Sequence, residues 1–254
     1  MMIPKDWLTA SLRAPKANGP ALVAYLVGGY PDRERFRSLL RDVAQVADAI
    51  EIGVPFTDPM ADGLSIQEAS RTALQGGASL RWILDTLAEE RVDTPLLLMS
   101  YLNPLLSFGL SELCERAAQV GVTGLIVPDL PLEEAEVLRA PADAQGLAVV
   151  QLVTPVTPQE RLRTLCEASG GFVYAVTVRG TTGGASHFSD DVLAYLDRVR
   201  AVSSLPVCAG FGIRDADQVD ALAPHVDGVI VGSALLDVVA SGQDPTRYLA
   251  GLRR

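Results

Sequence analysis

Two carboxylates, Glu51 and Asp62, flank a proline-bearing turn in the run Ile50-Glu51-Ile52-Gly53-Val54-Pro55-Phe56-Thr57-Asp58-Pro59-Met60-Ala61-Asp62-Gly63. Read as a strand, Ala49, Glu51 and Gly53 point to one face, and Ile50 and Ile52 to the other. A glutamate among such neighbours is costly to bury unless it has a partner or a task. A salt-bridged structural carboxylate is the plain alternative. The chemical reading is general acid–base work. An apolar surround raises the pKa of Glu51, so that it moves a proton in both directions. Asp62, nearer loop and solvent, is expected to stay ionised and to stabilise positive charge.

What the chain lacks narrows that chemistry. Its only lysines are Lys5 and Lys16, both ahead of the first strand candidate, and its only histidines are His187 and His225. A Schiff-base aldolase or decarboxylase needs a lysine in the site. Pyridoxal phosphate in this chain is excluded on the same ground. A zinc site wants several histidines, so no metal is expected. A pair of aspartates ending the first and fifth strands is also missing, since those strands end Val27-Gly28 and Val153-Thr154. What remains is metal-free acid–base catalysis by Glu51 with Asp62, at about 10²–10⁴-fold per group. That suffices for C–C cleavage only where the substrate stores the electrons itself, as an indole ring does once protonated on carbon.

Composition bounds the setting. The chain has 254 residues, 48% of them hydrophobic, and a formal net charge of −10. Nucleic-acid binding rests on neutralising phosphates with Lys and Arg, so that partner class is disfavoured. No apolar run reaches the ~18 residues of a membrane span, and the first residues do not resemble a secretory signal. Cys114, Cys166 and Cys208 form no C-x-x-C pair and read as small buried hydrophobes. A soluble cytoplasmic protein is expected.

The elements that must position the two carboxylates alternate along the chain. Trp7–Arg13 reads as a lead-in helix. Strand candidates follow at Ala21–Val27, Ala49–Gly53, Pro95–Ser100, Gly124–Val127, Ala148–Val153, Phe172–Val176, Pro206–Gly210 and Gly228–Val231. They are short and apolar throughout, as strands buried on both faces of a parallel sheet are. Capping boxes are expected at Ser65 with Glu68, at Thr157 to Glu160, and at Asp215 with Gln218. After Ser189, Val192, Leu196, Val199 and Val202 form one helical stripe. Eight βα units in one domain, residues 1–254, match an α/β fold of the (β/α)8 TIM-barrel type with an extra N-terminal helix. An open doubly wound sheet is the alternative. It would normally carry a glycine motif after strand one, where this chain has Val27-Gly28-Gly29-Tyr30-Pro31.

In such a barrel the site lies where strands end. Two long loops leave that face, Val54–Leu64 and Thr177–Phe188; glycines 180, 183 and 184 make the second either a lid or an ordinary connection. Glycine clusters end strands six, seven and eight: Gly183-Gly184, Gly210-Phe211-Gly212 and Gly232-Ser233. After strand eight, Gly232 to Leu236 reads as a first helical turn, whose N–H groups favour an anion. Barrels often hold a phosphate at this corner.

The same residues carry a resemblance. Glu51 to Gly63, with Ile66-Gln67 after it, resembles the signature of the tryptophan synthase alpha subunit family. Tyr101-x-Asn-Pro104, Val127-Pro-Asp-Leu-Pro131, Gly180-Thr-Thr-Gly183, Gly210-Phe-Gly-Ile213 and Gly232-Ser233 follow in the family's order. The resemblance spans nearly the whole chain. It implies a lyase that cleaves indole-3-glycerol phosphate to indole and glyceraldehyde 3-phosphate. Carried over by position, Glu51 is the acid–base and Asp62 the carboxylate on the indole N–H. Tyr174 is a supporting hydroxyl, and Thr182 a lid residue that meets Asp62. Gly183, Gly212, Gly232 and Ser233 become phosphate donors, and Tyr25, Ile66 and Ile230 walls of the indole pocket. The implied partner is a beta subunit carrying pyridoxal phosphate, in an α2β2 complex, docking on Phe56 to Met60; this chain itself needs no cofactor. One departure is the placement of Arg179, which many relatives have one residue earlier. Asp58 and Asp129 read equally well as turn and capping residues.

Three readings remain open at this point: a lyase subunit of an indole-transferring complex, a stand-alone lyase releasing indole, and a regulatory subunit that has lost turnover. Retention of both Glu51 and Asp62 speaks against the last.

Overall fold

All eight strand candidates form, and they close on themselves in chain order as a parallel barrel. The computed structural model describes residues 2–177, 188–210 and 212–253. The strands are β1 Ala21–Val27, β2 Ala49–Gly53, β3 Leu96–Met99, β4 Val122–Ile126, β5 Ala148–Val153, β6 Val173–Val176, β7 Val207–Gly210 and β8 Gly228–Val231. The helices before β4 are α1 Pro4–Arg13, α2 Arg33–Ala44, α3 Leu64–Gln75, α4 Leu80–Glu89, α5 Leu102–Phe108 and α6 Leu110–Gln119. After it come α7 Glu136–Ala144, α8 Gln159–Ala168, α9 Asp190–Val202, α10 Ala216–Leu222, α11 Ser233–Ala240 and α12 Pro245–Gly251. Strands β3 and β7 start one residue later than expected. Pro95 and Pro206 accept from Ile50 and Val173 through their carbonyls, but a proline has no N–H to extend the ladder.

Alternation sorts the strand residues into two layers. Ile50 and Ile52 face outward and pack with Phe36, Leu40, Ile83 and Leu84 of the surrounding helices. Ala21, Val23, Ala49, Leu97, Ile126, Val150, Tyr174, Cys208 and Ile230 fill the inside. Helix α1 starts at Pro4, earlier than the expected Trp7, which suits a proline in the first turn. Its Leu8 and Leu12 join the inner cluster and plug the end where the strands begin. That leaves the opposite mouth for a ligand.

Two aspartates set the register of the strands that bear site residues. Asp48, just before β2, donates its N–H to Leu22 and accepts the Leu22 N–H at 2.7 Å. Asp227, just before β8, does the same with Val207, at 2.8 Å in each direction. The third residue after each aspartate, Glu51 and Ile230 respectively, faces inward at the mouth. Asp48 is the more heavily used. It also accepts from the Lys16 N–H and from Arg253, with side-chain exposures of 4% for Arg253 and 1% for Asp48. The Lys16 ammonium bonds Ala44 and Thr94, so one of the chain's lysines holds the scaffold.

The expected capping boxes fare differently. Asp215 caps α10 through the Gln218 N–H, while the Gln218 side chain accepts from Arg214 rather than from Asp215. Ser65 caps nothing: α3 begins at Leu64 behind Gly63, and the Ser65 hydroxyl donates to Asp237 instead. Thr157 is likewise engaged elsewhere, bonding the N–H and hydroxyl of Thr154, and α8 starts after Pro158 without a side-chain cap. The three cysteines are buried and free.

Candidate active site

One cavity at the C-terminal mouth of the barrel is lined by Tyr25, Glu51, Asp62, Gly63, Ile66, Met99, Tyr174, Gly212, Ile213, Ile230, Gly232 and Ser233. Nine of the expected residues therefore come together: Glu51, Asp62, Tyr174, Tyr25, Ile66, Ile230, Gly212, Gly232 and Ser233. Thr182, Gly183 and the remainder of the expected lid, residues 178–187, lie outside the described residues.

Glu51 arrives there because β2 is short and the period of its side chains is two. Its carboxyl is fully buried, and neither oxygen has a hydrogen-bond partner among the described residues. Burial pushes its pKa up to about 8. Among the described residues no cation pairs with it, which speaks against the salt-bridged alternative. Nothing among the described residues neutralises it, and its protonated form is favoured at neutral pH.

Asp62 sits half-buried on the loop between β2 and α3. Burial raises its pKa, and a hydrogen bond from Tyr101 at 3.2 Å pulls the other way. The Tyr101 hydroxyl also accepts the Ala61 N–H at 2.8 Å, and Gln67 donates to the Asp62 carbonyl at 2.8 Å. The Phe56 ring lies 5.4 Å from that of Tyr101. The loop is thus fastened at both ends of its second half. Sequence reading cited Tyr101 only as part of a motif and gave it no role. The signal was the alternation that carries Leu97 and Met99 inward, which continues to position 101. Met99, Ile213 and Gly63 were missed as lining residues in the same way. Asp129 accepts the Leu102 N–H at 2.9 Å, satisfying the first N–H of α5 from the loop after β4, while Tyr101 stands at the N-cap itself.

Two tyrosines on the inner wall owe their positions to missing side chains. Tyr25 of β1 pairs in register with Glu51, and a Cβ on Gly53, two residues further along β2, would fall 2.1 Å from the Tyr25 hydroxyl. Tyr174 of β6 pairs with Cys208, and a Cβ on Gly210 would fall 2.4 Å from the Tyr174 hydroxyl. Each ring leans over the neighbouring strand where only glycine leaves room. Burial raises both phenol pKa values well above the ordinary range, with the charges of Asp62 and Glu51 contributing next at Tyr25.

Gly232 stands at the N-cap of α11 and has no side chain of its own to cap it, so Ser233 and its neighbours offer first-turn N–H groups at the cavity wall. Gly212 adds a backbone turn at φ 86°. Among the described residues no lysine or arginine lines the cavity, and the donors they offer an anion are main-chain N–H groups and the Ser233 hydroxyl. No group of three His, Cys, Asp or Glu side chains placed to hold a metal occurs among the described residues.

The model of the tryptophan synthase alpha chain family matches residues 12–252. The chain belongs to that family. Among its relatives, the tryptophan synthase alpha chain of Desulfovibrio desulfuricans is 43% identical over 249 residues, covering 96% of this chain and 98% of the relative. The alpha chain of Granulibacter bethesdensis is 45% identical over 231 residues, covering 89% and 83%. A crystal structure of tryptophan synthase from M. tuberculosis in an open form superposes with a TM-score of 0.88 at 35% identity, covering 99% of this chain and 97% of that one. As a member of the tryptophan synthase alpha chain family, the chain is a lyase of tryptophan biosynthesis that acts on indole-3-glycerol phosphate.

Proposed function

We propose that Glu51 and Asp62 carry the cleavage of indole-3-glycerol phosphate in this chain. The carrying observation is a fully buried Glu51 carboxyl, unpartnered among the described residues, lining one cavity with Asp62 and the glycine corner at α11. The phosphate binds at Gly212, Gly232 and Ser233, with Gly183 assigned to the same role by resemblance. The indole ring lies between Tyr25, Ile66 and Ile230. Glu51, protonated because its pKa is about 8, gives its proton to the ring carbon that bears the glycerol phosphate. Positive charge then develops at the ring nitrogen, where the Asp62 carboxylate stabilises it. Glu51, now a carboxylate, accepts the proton of the hydroxyl on the adjacent side-chain carbon. That carbon becomes an aldehyde, the C–C bond breaks, and its electron pair neutralises the ring. Indole and glyceraldehyde 3-phosphate leave, and Glu51 ends as it began.

An acid with a pKa near the working pH suits both halves of this cycle. Tyr174 supports the pocket wall, and Thr182 is assigned to the lid by resemblance. The whole of residues 1–254 serves as one domain. Phe56 to Met60, with Met60 84% exposed, is the surface for a pyridoxal-phosphate beta subunit in an α2β2 complex. Its contact with Tyr101 through Phe56 would place that partner close to Asp62. No helix among the described residues is long and apolar enough to cross a membrane, and a cytoplasmic setting suits this metabolic role. The test is indole release by the purified chain, alone and with a beta subunit, for the native sequence and for Glu51→Gln. Near-normal turnover of the variant refutes the assignment.

A further inference from the structure

Three segments feed the cavity from one side: the stretch from Asp62 into α3, the turn at Gly212-Ile213, and the start of α11 at Gly232-Ser233. One carboxylate touches all three. Asp237, in the second turn of α11, accepts the Ser65 hydroxyl at 2.8 Å on one oxygen and the Arg214 guanidinium at 3.0 Å on the other. Ser65 is in the first turn of α3, shortly after Asp62, and Arg214 follows Ile213 directly. Arg214 is itself braced. Its N–H donates to Gln218 at 2.7 Å, and its carbonyl accepts the Tyr248 hydroxyl at 2.8 Å.

The geometry explains why this is more than a surface ion pair. The Arg214 and Asp237 side chains are 45% and 43% exposed, and pairs so exposed add little to stability. What they can fix is separation. A substrate with a ring at one end and a phosphate at the other is gripped by two sites on different elements: Asp62 ahead of α3, and the N–H groups of α11. Reaction needs both ends seated with the ring carbon at Glu51, and displacements of about 1 Å can cost on the order of 10²-fold in rate. Arg214 also offsets the negative charge that Asp237 places one turn from the anion corner.

We propose that Asp237 is a positioning residue, holding the Asp62 segment and the anion corner at a fixed separation through its simultaneous bonds to Ser65 and Arg214. The proposal rests on the reading of the site given above.

The test compares Asp237→Ala, Ser65→Ala, Ser65→Thr and the double variant Ser65→Ala/Asp237→Ala in the full chain with its beta partner. Two probes are titrated: inorganic phosphate, and a non-reacting analogue in which indole and phosphate are joined by a saturated three-carbon chain. Indole release is followed in parallel. Asp237→Ala is expected to weaken the analogue and raise KM on the order of tenfold, with phosphate alone changed less than about threefold, since each half-site survives. Ser65→Ala moves in the same direction. The double variant is no worse than Asp237→Ala, and Ser65→Thr keeps the native values. A purely structural role would lower the urea midpoint without separating the two probes. Equal losses for both probes, strictly additive losses in the double variant, or unchanged analogue affinity overturns the proposal. Failure of the native chain itself to bind the analogue or release indole would instead overturn the assignment of the site.

Discussion

Tyr25 and Glu51 are register partners across the β1–β2 ladder, both facing into the barrel, yet neither Glu51 oxygen receives a hydrogen bond among the described residues. The carboxyl is kept neutral by its surroundings rather than by a neighbour, and this has a thermodynamic signature. Its pKa is about 8 in the folded chain against an ordinary 4.5, so the folded state binds the extra proton between those values. Stability must then fall as pH rises through that window. Glu51→Gln removes the titration. The variant is expected to gain on the native chain between pH 5 and pH 9 by on the order of a few kcal/mol. Urea unfolding of both proteins at the two pH values checks this, and parallel behaviour would contradict it.

The same group governs activity. Turnover of Glu51→Gln should fall by about 10²–10⁴-fold. In the native enzyme, turnover should decline as pH rises above about 8, where Glu51 no longer starts with its proton. A pH profile of indole release that stays flat to pH 9.5 would remove Glu51 as the initial acid.

Tyr101→Phe deletes a hydroxyl that accepts from Ala61 and donates to Asp62. Each such bond is worth about 0.5–1.5 kcal/mol. The expected loss is on the order of tenfold in kcat/KM and, with two such bonds gone, up to about 1–3 kcal/mol of stability, while the ring keeps its packing against Phe56. Steady-state kinetics with unfolding measured alongside separates the two effects.

Gly53→Ala sets a methyl where the Tyr25 hydroxyl now lies. The ring must swing into the cavity, at a cost of about 1–3 kcal/mol in stability, and substrate affinity drops with it. A Gly53→Ala/Tyr25→Phe double variant recovers only part of the stability, because the new methyl would also lie 2.6 Å from the ring Cζ, which phenylalanine keeps. If the double variant is no more stable than Gly53→Ala, the hydroxyl has no share in the clash.

Much of this site could be read from residue order because its logic is local. Period-two alternation around Glu51 placed it inside, and the glycine-rich ends of β7 and β8 followed from where barrels bind anions. The misreadings have a common physical cause. Ser65 looks like a helix cap until its hydroxyl meets Asp237, distant in the chain but adjacent in space. Thr157 turns back to Thr154. Short polar side chains bond whichever partner folding brings near, and sequence spacing shows only the local candidates. Tyr101 was overlooked for the same reason: its partners are on a loop contributed by a different βα unit.

Asp48→Ala is expected to be the most damaging of the scaffold changes. It strands the Arg253 guanidinium, only 4% exposed, and frees the Leu22 N–H at the start of β1. Removing one member of a buried pair costs about 3–5 kcal/mol. The urea midpoint should drop accordingly, and a shift smaller than that of Gly53→Ala would be inconsistent with this account.

The Asp48–Arg253 bond spans 205 residues of chain. During vectorial synthesis at about 5–20 residues per second, the guanidinium is made on the order of 10–40 s after the carboxylate it neutralises. The nascent strand that bears Glu51 must wait that long with an anion it cannot yet bury. Attachment of the reacting strand at its base is thus completed by a side chain made 205 residues later.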